Sequence, residues 1–417
     1  MVTYPGVDSP PFRWSMLIYD RRYRSLTLQA VVFILVMLLA SWLVDNTLRN
    51  LSAMGKTLSF DFLFRRAGYD IPQQLIPYNS DDTHLRATVV GLLNTLLVSI
   101  LGCIAATVVG VVVGVLRLSP NWLIARLMTV YVEVFRNIPL LLWILLILAL
   151  FTEVMPPPNA YRGDNPAASM LMFDMIAPTN RYTAIPSIGM TNPPGIIALG
   201  REGISWAFVA YVVVIAAAIV GQRLLSRRAQ RIQDQTGRRP RTWWITLAMF
   251  ALPVLALTWH FGLHLISPVM RGFNFADGLN LSNSLVVLWL ALTLYTGAFI
   301  AEIVRAGILA VSKGQSEAAF ALGLRPRRTM SLVILPQALR VIIPPLISQY
   351  LNLTKNSSLA IAVGYMDLRG TLGGTTLNQT GREMECMVLL MGIYLVLSLL
   401  ISGGMNVFNS RVKLRER

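Results

Sequence analysis

The chain has 417 residues, 55% of them hydrophobic and 13% charged, against about 45–50% and about 25% in ordinary soluble domains; this excludes a soluble enzyme. The apolar residues fall in blocks long enough to cross a bilayer, so the length reads as one all-α, polytopic membrane body rather than several soluble domains. A formal charge of +16 fits nucleic acid or a membrane face, depending on where the basic residues lie.

In chain order, the first long apolar run covers residues 25–44, after Arg21, Arg22 and Arg24 and before Asp45. It has neither the short core nor the small-residue cleavage site of a signal peptide and is expected to stay as a spanning helix. Further spans are expected at 87–116, 127–151, 204–222, 243–263, 284–303, 330–351 and 386–407, eight in all. The run from Met330 is the weakest, because Pro336, Pro344 and Pro345 interrupt it; such breaks survive in a membrane only where protein packs them or a cavity meets them. Cys103 and Cys386 both sit in apolar runs and read as small buried hydrophobes, not metal ligands or a disulfide.

Eight spans put both termini on one side, and the basic residues say which. Of the 36 Lys and Arg, 23 fall in the tails and the alternate loops 117–126, 223–241 and 305–340, which assigns those segments and both termini to the cytoplasm. Residues 45–86 and 152–203 then become long extracytoplasmic loops. The second holds 8 of the 22 prolines and keeps no helical period; it reads as an irregular lid or as a docking surface for a soluble partner. The basic stretch 223–241 lies between closely spaced spans, so it is read as topogenic and lipid-facing, with no role in nucleic-acid binding.

One inner segment differs from the other loops: AEIVRAGILAVSKGQSEAAFALGLRPRRTMSLVILPQALR from Ala301. Ser316 is placed to cap a short helix, Glu317-Ala318-Ala319-Phe320-Ala321-Leu322 contains good helix formers, and Gly323 can close it in a left-handed conformation. Such a helix stands free of the membrane. Its alanines keep one face thin enough for a groove on another protein, with Phe320, Leu322 and Leu324 as anchors. Arg325, Arg327 and Arg328 follow as contacts to lipid headgroups or to that partner.

Glu317-Ala318-Ala319, then Gly323 and Leu335-Pro336, resembles the EAA signature of permease subunits of ATP-binding-cassette importers. The surrounding sequence is similar to the polar amino acid branch, and so is YVEVFRNIPLLL from Tyr131. The resemblance implies a type I importer permease core in two parts, 87–150 and 284–407, flanked by a tail 1–24, an extra first span with its loop 25–86, an insertion 151–283 and a tail 408–417. The first span and the insertion look like the larger permeases of general L-amino acid importers.

The resemblance further implies a bacterial inner-membrane location and a coupling helix, with Glu317, Ala318, Ala319, Phe320, Gly323 and Leu324 seated in an ATPase subunit. Two ATPase copies would hydrolyse the ATP, this chain binding no cofactor and having no catalytic site of its own. A periplasmic amino-acid-binding protein and a second permease, a related chain in preference to a copy, complete the expected assembly. Gly55-Lys56-Thr57 is a chance echo of a P-loop, since position 50 is Asn where the leading glycine belongs.

Ionisable groups inside spans are costly and need a reason. Glu133 and Arg136, three apart on one helix face, read as a local ion pair or a ligand site. Glu302 and Arg305 share that spacing; Glu302 is either a structural partner of Arg305 or an acceptor for a substrate ammonium group. Gln349, Lys355, Asn356, Ser357 and Ser358 add amides, hydroxyls and a cation on the seventh span, with Lys355 and the serines suited to a carboxylate. Asn356 stands where the resembling family more often has an acidic residue, which argues against a cationic substrate. An ion-coupled secondary transporter is the alternative from another class; it predicts inverted repeats and a midplane ion site, neither of which the sequence shows.

Overall fold

The computed structural model describes residues 14–55, 57–163, 166–199, 202–238 and 240–412. Residues 1–13 and 413–417 of the two tails, Lys56 of the P-loop echo and Arg239 of the basic stretch lie outside the described residues. The chain forms two compact units, one ending at Asp61 and one running Phe62–Arg417.

The first unit is built on α1 (Arg21–Ala53). No part of its most apolar window is buried within the chain. That suits a lipid-facing helix, because lipid tails solvate Leu and Val as well as a protein interior does. Asp45 and Arg49 pair across one turn at 2.8 Å.

The second unit contains α2 (His84–Leu116), α3 (Trp122–Asn137), α4 (Leu140–Ala149), α5 (Trp206–Thr236), α6 (Trp243–His260), α7 (Asn283–Leu309), α8 (Lys313–Ala321), α9 (Leu335–Asn356) and α10 (Glu383–Val412). Among the described residues, seven helices are long and apolar enough to cross a membrane, and a bent pair, α3 with α4, makes an eighth if it crosses as one span.

That bend corrects the expected unbroken span at 127–151. Pro139 lacks an N–H and forces Ile138 out of the helical region, to φ −103° and ψ 132°. The two helices meet at 106°. The prolines of α9 act differently: Pro344 and Pro345 sit inside a continuous helix. The prolines themselves are exposed, and the neighbouring Ile342, Ile343 and Ile347 are buried, so packing of the flanking residues holds the helix through the pair.

The centre of the unit is the pairing of α2 with α7. Along α2, Gly102, Ala106, Gly110 and Gly114 recur every fourth residue and form one smooth stripe. A Cβ on Gly110 would sit 2.5 Å from Ile300, and one on Gly114 would sit 2.7 Å from the Ala301 carbonyl oxygen. Gly307 of α7 is equally tight against Ile342 of α9, at 2.3 Å. Backbone approach of this kind is how helices associate where no hydrophobic drive separates them from lipid. Val98, Ile144, Leu288, Leu292, Ile300 and Leu353 fill the core around the stripe.

The two ends of this body differ. Arg117, at the C-terminus of α2, meets Glu302 near the C-terminus of α7; this is called the arginine end below. At the other end, the expected irregular lid is in part ordered as strands. Short strands β1 (Ala177–Pro178), β2 (Tyr182–Ile185), β3 (Ser187–Met190), β4 (Ile196–Leu199), β5 (Glu202–Ser205), β6 (Leu263–Ile266), β7 (Val269–Arg271), β8 (Asn274–Ala276) and β9 (Leu279–Ser282) form small antiparallel sheets, with the order β1-β2-β9 and the pairs β3-β6, β4-β5 and β7-β8. This is the strand end. Buried Asn283, the first residue of α7, donates to the Thr179 carbonyl at 2.7 Å and anchors the layer.

These pairings trace the path of the chain. It leaves the arginine end at Arg117, turns through α3 and α4, and reaches the strand end by Thr179, so the bent pair carries it across. The α5–α6 hairpin leaves from β5 and returns to β6, which pairs with β3. Tyr211 and Thr258 bond across that hairpin at 3.0 Å. Helix α5 runs on to Thr236 and ends at Gly237 with φ +70°, so much of the basic stretch expected as a loop is helix.

Candidate functional site

The segment after α7 bears out the short projecting helix and moves its start. The residue flanking α8 is Ser312, and Ser316 lies inside the helix, which corrects the expected cap. The end is closed as the sequence predicts. Gly323 adopts φ +75°, its N–H donates to Phe320 O at 2.9 Å, and the Leu324 N–H donates to Ala319 O at 3.0 Å. These two bonds form a Schellman motif and turn the chain sharply away from the helix axis.

Ala319 is buried on the body side. Glu317, Ala318 and Gly323 are exposed, Leu324 is half-buried, and Phe320 and Leu322 are 50% and 82% exposed. Gln337 of α9 donates to Gln315 at 3.2 Å and ties the segment to the membrane helices. The result is a short helix with a tightly closed end, on which Leu322 is largely uncovered and Phe320 is half covered.

The polar candidates within the spans do not form one site. Glu302 accepts from Arg305 Nη2 at 2.6 Å and from Arg117 Nη1, and Arg136 Nη1 lies 3.9 Å away. Its oxygens are thus engaged by guanidiniums from α7 and from the C-terminus of α2, and an ammonium group would find no open acceptor there. This corrects the ammonium-acceptor reading. It also replaces the local Glu133–Arg136 pair: Glu133 accepts from Asn137 at 3.4 Å, while Arg136 stacks over Phe299 at 5.4 Å.

Gln349, Lys355, Asn356, Ser357 and Ser358 lie toward the strand end. The α9 turn at Ile342 packs on Gly307, and the rise from there to Ser357 is about 20 Å. The buried Ser357 hydroxyl donates to the Thr354 carbonyl at 2.8 Å, and Ser358 donates to the Lys355 carbonyl at 2.8 Å. Both serine protons are therefore spent on the end of their own helix, a correction to their role as carboxylate donors. Lys355 is exposed, and Gln349 and Asn356 are half-buried.

Sequence reasoning missed a buried polar network at the strand end. Asn94 of α2 donates to Gln73 O at 2.7 Å and Met366 O at 2.9 Å. Thr95 accepts from the Leu368 N–H at 3.0 Å, and His84 and Tyr69 each meet the Thr376 hydroxyl at 3.0 Å. Asp367 caps the next turn by accepting from the Gly370 N–H at 2.8 Å. These bonds hold the segment between α9 and α10 against the start of α2. The available signal was a run of Asn, Thr and Ser on one face of an apolar helix.

Burial pushes the Asp367 carboxyl up to about 7, against the pull of its Gly370 and Tyr394 hydrogen bonds. A carboxyl with a raised native pKa holds a proton that the unfolded chain has released. Its contribution to stability is complete below about pH 4 and is lost as pH rises toward 7. Asp367→Asn keeps the cap acceptor without the titration, so its melting temperature is expected to fall less than that of the parent between pH 5 and 8. An unchanged pH profile in the variant would remove Asp367 as the cause.

A membrane body of packed small-residue helices, with a short helix closed by a Schellman turn projecting from one end, defines the class: a polytopic helical membrane protein. The family described as binding-protein-dependent transport system inner membrane component matches residues 241–414. The chain is 57% identical to a glutamate/glutamine/aspartate/asparagine transport system permease protein of Rhodobacter capsulatus over 98% of this chain and 99% of that one. It is 44% identical to a general L-amino acid transport system permease protein of Rhizobium johnstonii, with 100% of each chain covered. Among solved structures, an amino acid ABC transporter with histidines aligns with a TM-score of 0.44 and 19% identity, over 79% of this chain and 95% of that one. The chain belongs to the family of inner-membrane permease components of binding-protein-dependent ABC transport systems.

Proposed function

We propose that this chain is the permease subunit of an ATP-driven amino acid importer, in which it forms half of the translocation pathway. The observation that carries the reading is α8, a short helix closed by a Schellman turn at Gly323 with Phe320 half exposed and Leu322 largely exposed. It is suited to a groove on an ATPase subunit, with Glu317 and Ala318 on its free face and Ala319 turned inward as the contact that seats the helix on the body. The amino acid class is supported by the two relatives matched over nearly their whole length, both permease proteins of amino acid transport systems.

The excess of Lys and Arg in the tails and alternate loops supports a cytoplasmic arginine end and cytoplasmic termini, next to two ATPase copies that bind and hydrolyse the ATP. The strand end then faces an extracytoplasmic amino-acid-binding protein, and a related permease chain supplies the other half of the pathway.

In proteoliposomes that contain the assembled complex, with binding protein outside and ATP within, amino acid uptake is expected to require ATP and to stop with vanadate. Uptake that continues without ATP and collapses with an uncoupler would instead favour an ion-coupled carrier.

A further inference from the structure

The Glu302 cluster has more donors than acceptors. Each guanidinium carries five N–H donors, and a carboxylate has about four acceptor sites. Arg305 uses Oε1 at 2.6 Å and reaches Oε2 with its Nε at 3.4 Å. Arg117 also uses Oε2, and Arg136 is left 3.9 Å away. The Nε atoms of Arg117 and Arg136 are buried without a hydrogen-bond partner, and the Arg117 side chain is only 8% exposed. Glu133, one turn before Arg136, is the other carboxylate on these elements, and it is exposed. Three guanidiniums therefore face two carboxylates, and the surplus is positive.

Unpaired buried donors on a cation in excess are costly, and the Arg136 side chain, 34% exposed, is the one of the three most open to an incoming ligand. A compensating ligand has to be an anion. A planar carboxylate matches the fork of a guanidinium better than a spherical ion does. Phe299 beneath Arg136 holds that guanidinium by a cation–π contact and leaves its other groups to bond in their own plane.

We propose that the arginine end of α2, α3 and α7 is a carboxylate-binding site in which Glu302 is the resident occupant. The carboxylate of a transported amino acid takes Arg136 and shares Arg117, and Glu302 competes for the same donors and drives release. The sequence expectation is reversed: the cluster recognises the acid end of the substrate, not its ammonium group. This inference rests on the amino acid permease reading.

The test is isothermal titration of the purified full-length chain in detergent with L-glutamate and, separately, with inorganic phosphate. Arg136→Gln is expected to weaken L-glutamate binding about tenfold or more, and Arg136→Lys to fall between it and the parent. Glu302→Gln is expected to strengthen binding, because it removes the internal competitor. A cluster that only braces the helices gives no gain in Glu302→Gln, and that result would overturn the proposal. Binding of phosphate without L-glutamate would assign the site to a phosphate group, such as a lipid headgroup, and reject the carboxylate. No binding of either probe also rejects it. Amino acid uptake by cells carrying the unmodified transporter separates the two levels: uptake without binding at the cluster defeats the site alone, and absence of uptake defeats the amino acid reading.

Discussion

Gly323→Pro is expected to reduce ATP-driven uptake to background while the chain still accumulates in the membrane. Proline fixes φ near −65° and has no N–H, whereas this position has φ +75° and donates to Phe320 O. Both bonds of the Schellman turn are lost, and the end of α8 is misdirected. No side chain or backbone atom lies within 4 Å of a Cβ at this position, so the effect comes from chain direction and not from a clash. The series should therefore be graded. Asn tolerates the left-handed region best after Gly, Ala carries a penalty of about 1 kcal/mol, and β-branched Val more. Uptake should fall in the order Gly, Asn, Ala, Val, Pro. Equal activity in all five would separate the turn from function.

Gly114→Leu is expected to act on the fold itself. A Cβ there would lie 2.7 Å from the Ala301 carbonyl oxygen and 2.9 Å from the Val304 Cβ, and backbone cannot turn aside as a flexible side chain can. The α2–α7 pair would have to separate, and overpacking of this kind costs about 1–3 kcal/mol or more. Monodisperse protein and melting temperature should both drop sharply. Gly392→Leu on α10 is the control, because nothing lies within 4 Å of a Cβ at that position; it should melt within a few degrees of the parent. Similar losses in both would mean that the stripe on α2 carries no special packing.

The spans were legible because a 20-residue apolar run has few alternatives in a membrane protein. Gly323 was legible because a glycine after a run of helix formers has a stereochemical reason to be there. The break at Pro139 had a signal in the sequence: Glu133, Arg136 and Asn137 lower the hydropathy just before the proline, and the strongly apolar run starts only at Leu140. Ser316 was chosen as a cap for its position before Glu317, but the helix had already begun three residues earlier, at Lys313.

Glu302 shows a different limit. Its neighbour Arg305 was visible at helical spacing, but Arg117 comes from a helix end 185 residues away. Only the α2–α7 packing brings it there, and with it the local charge goes from balanced to positive. The two serines failed as ligands for a local reason, since hydroxyls at a helix C-terminus satisfy the carbonyls left open there.

The most direct measurement is crosslinking from α8 in the assembled transporter. Leu322 is 82% exposed, while the native Cys386 is buried and Cys103 is half-buried, so a Leu322→Cys variant offers a thiol that reacts first. Labelled with a maleimide–benzophenone, which alkylates this thiol and on illumination inserts into C–H bonds of whatever chain lies against it, the variant should become joined to the ATPase subunit, and the yield should change when ATP is bound. Phe173→Cys, at an exposed position of the strand end, should give no such product. A purified complex in which the ATPase is present but Leu322→Cys forms no crosslink to it would contradict the assignment of α8 as the coupling helix.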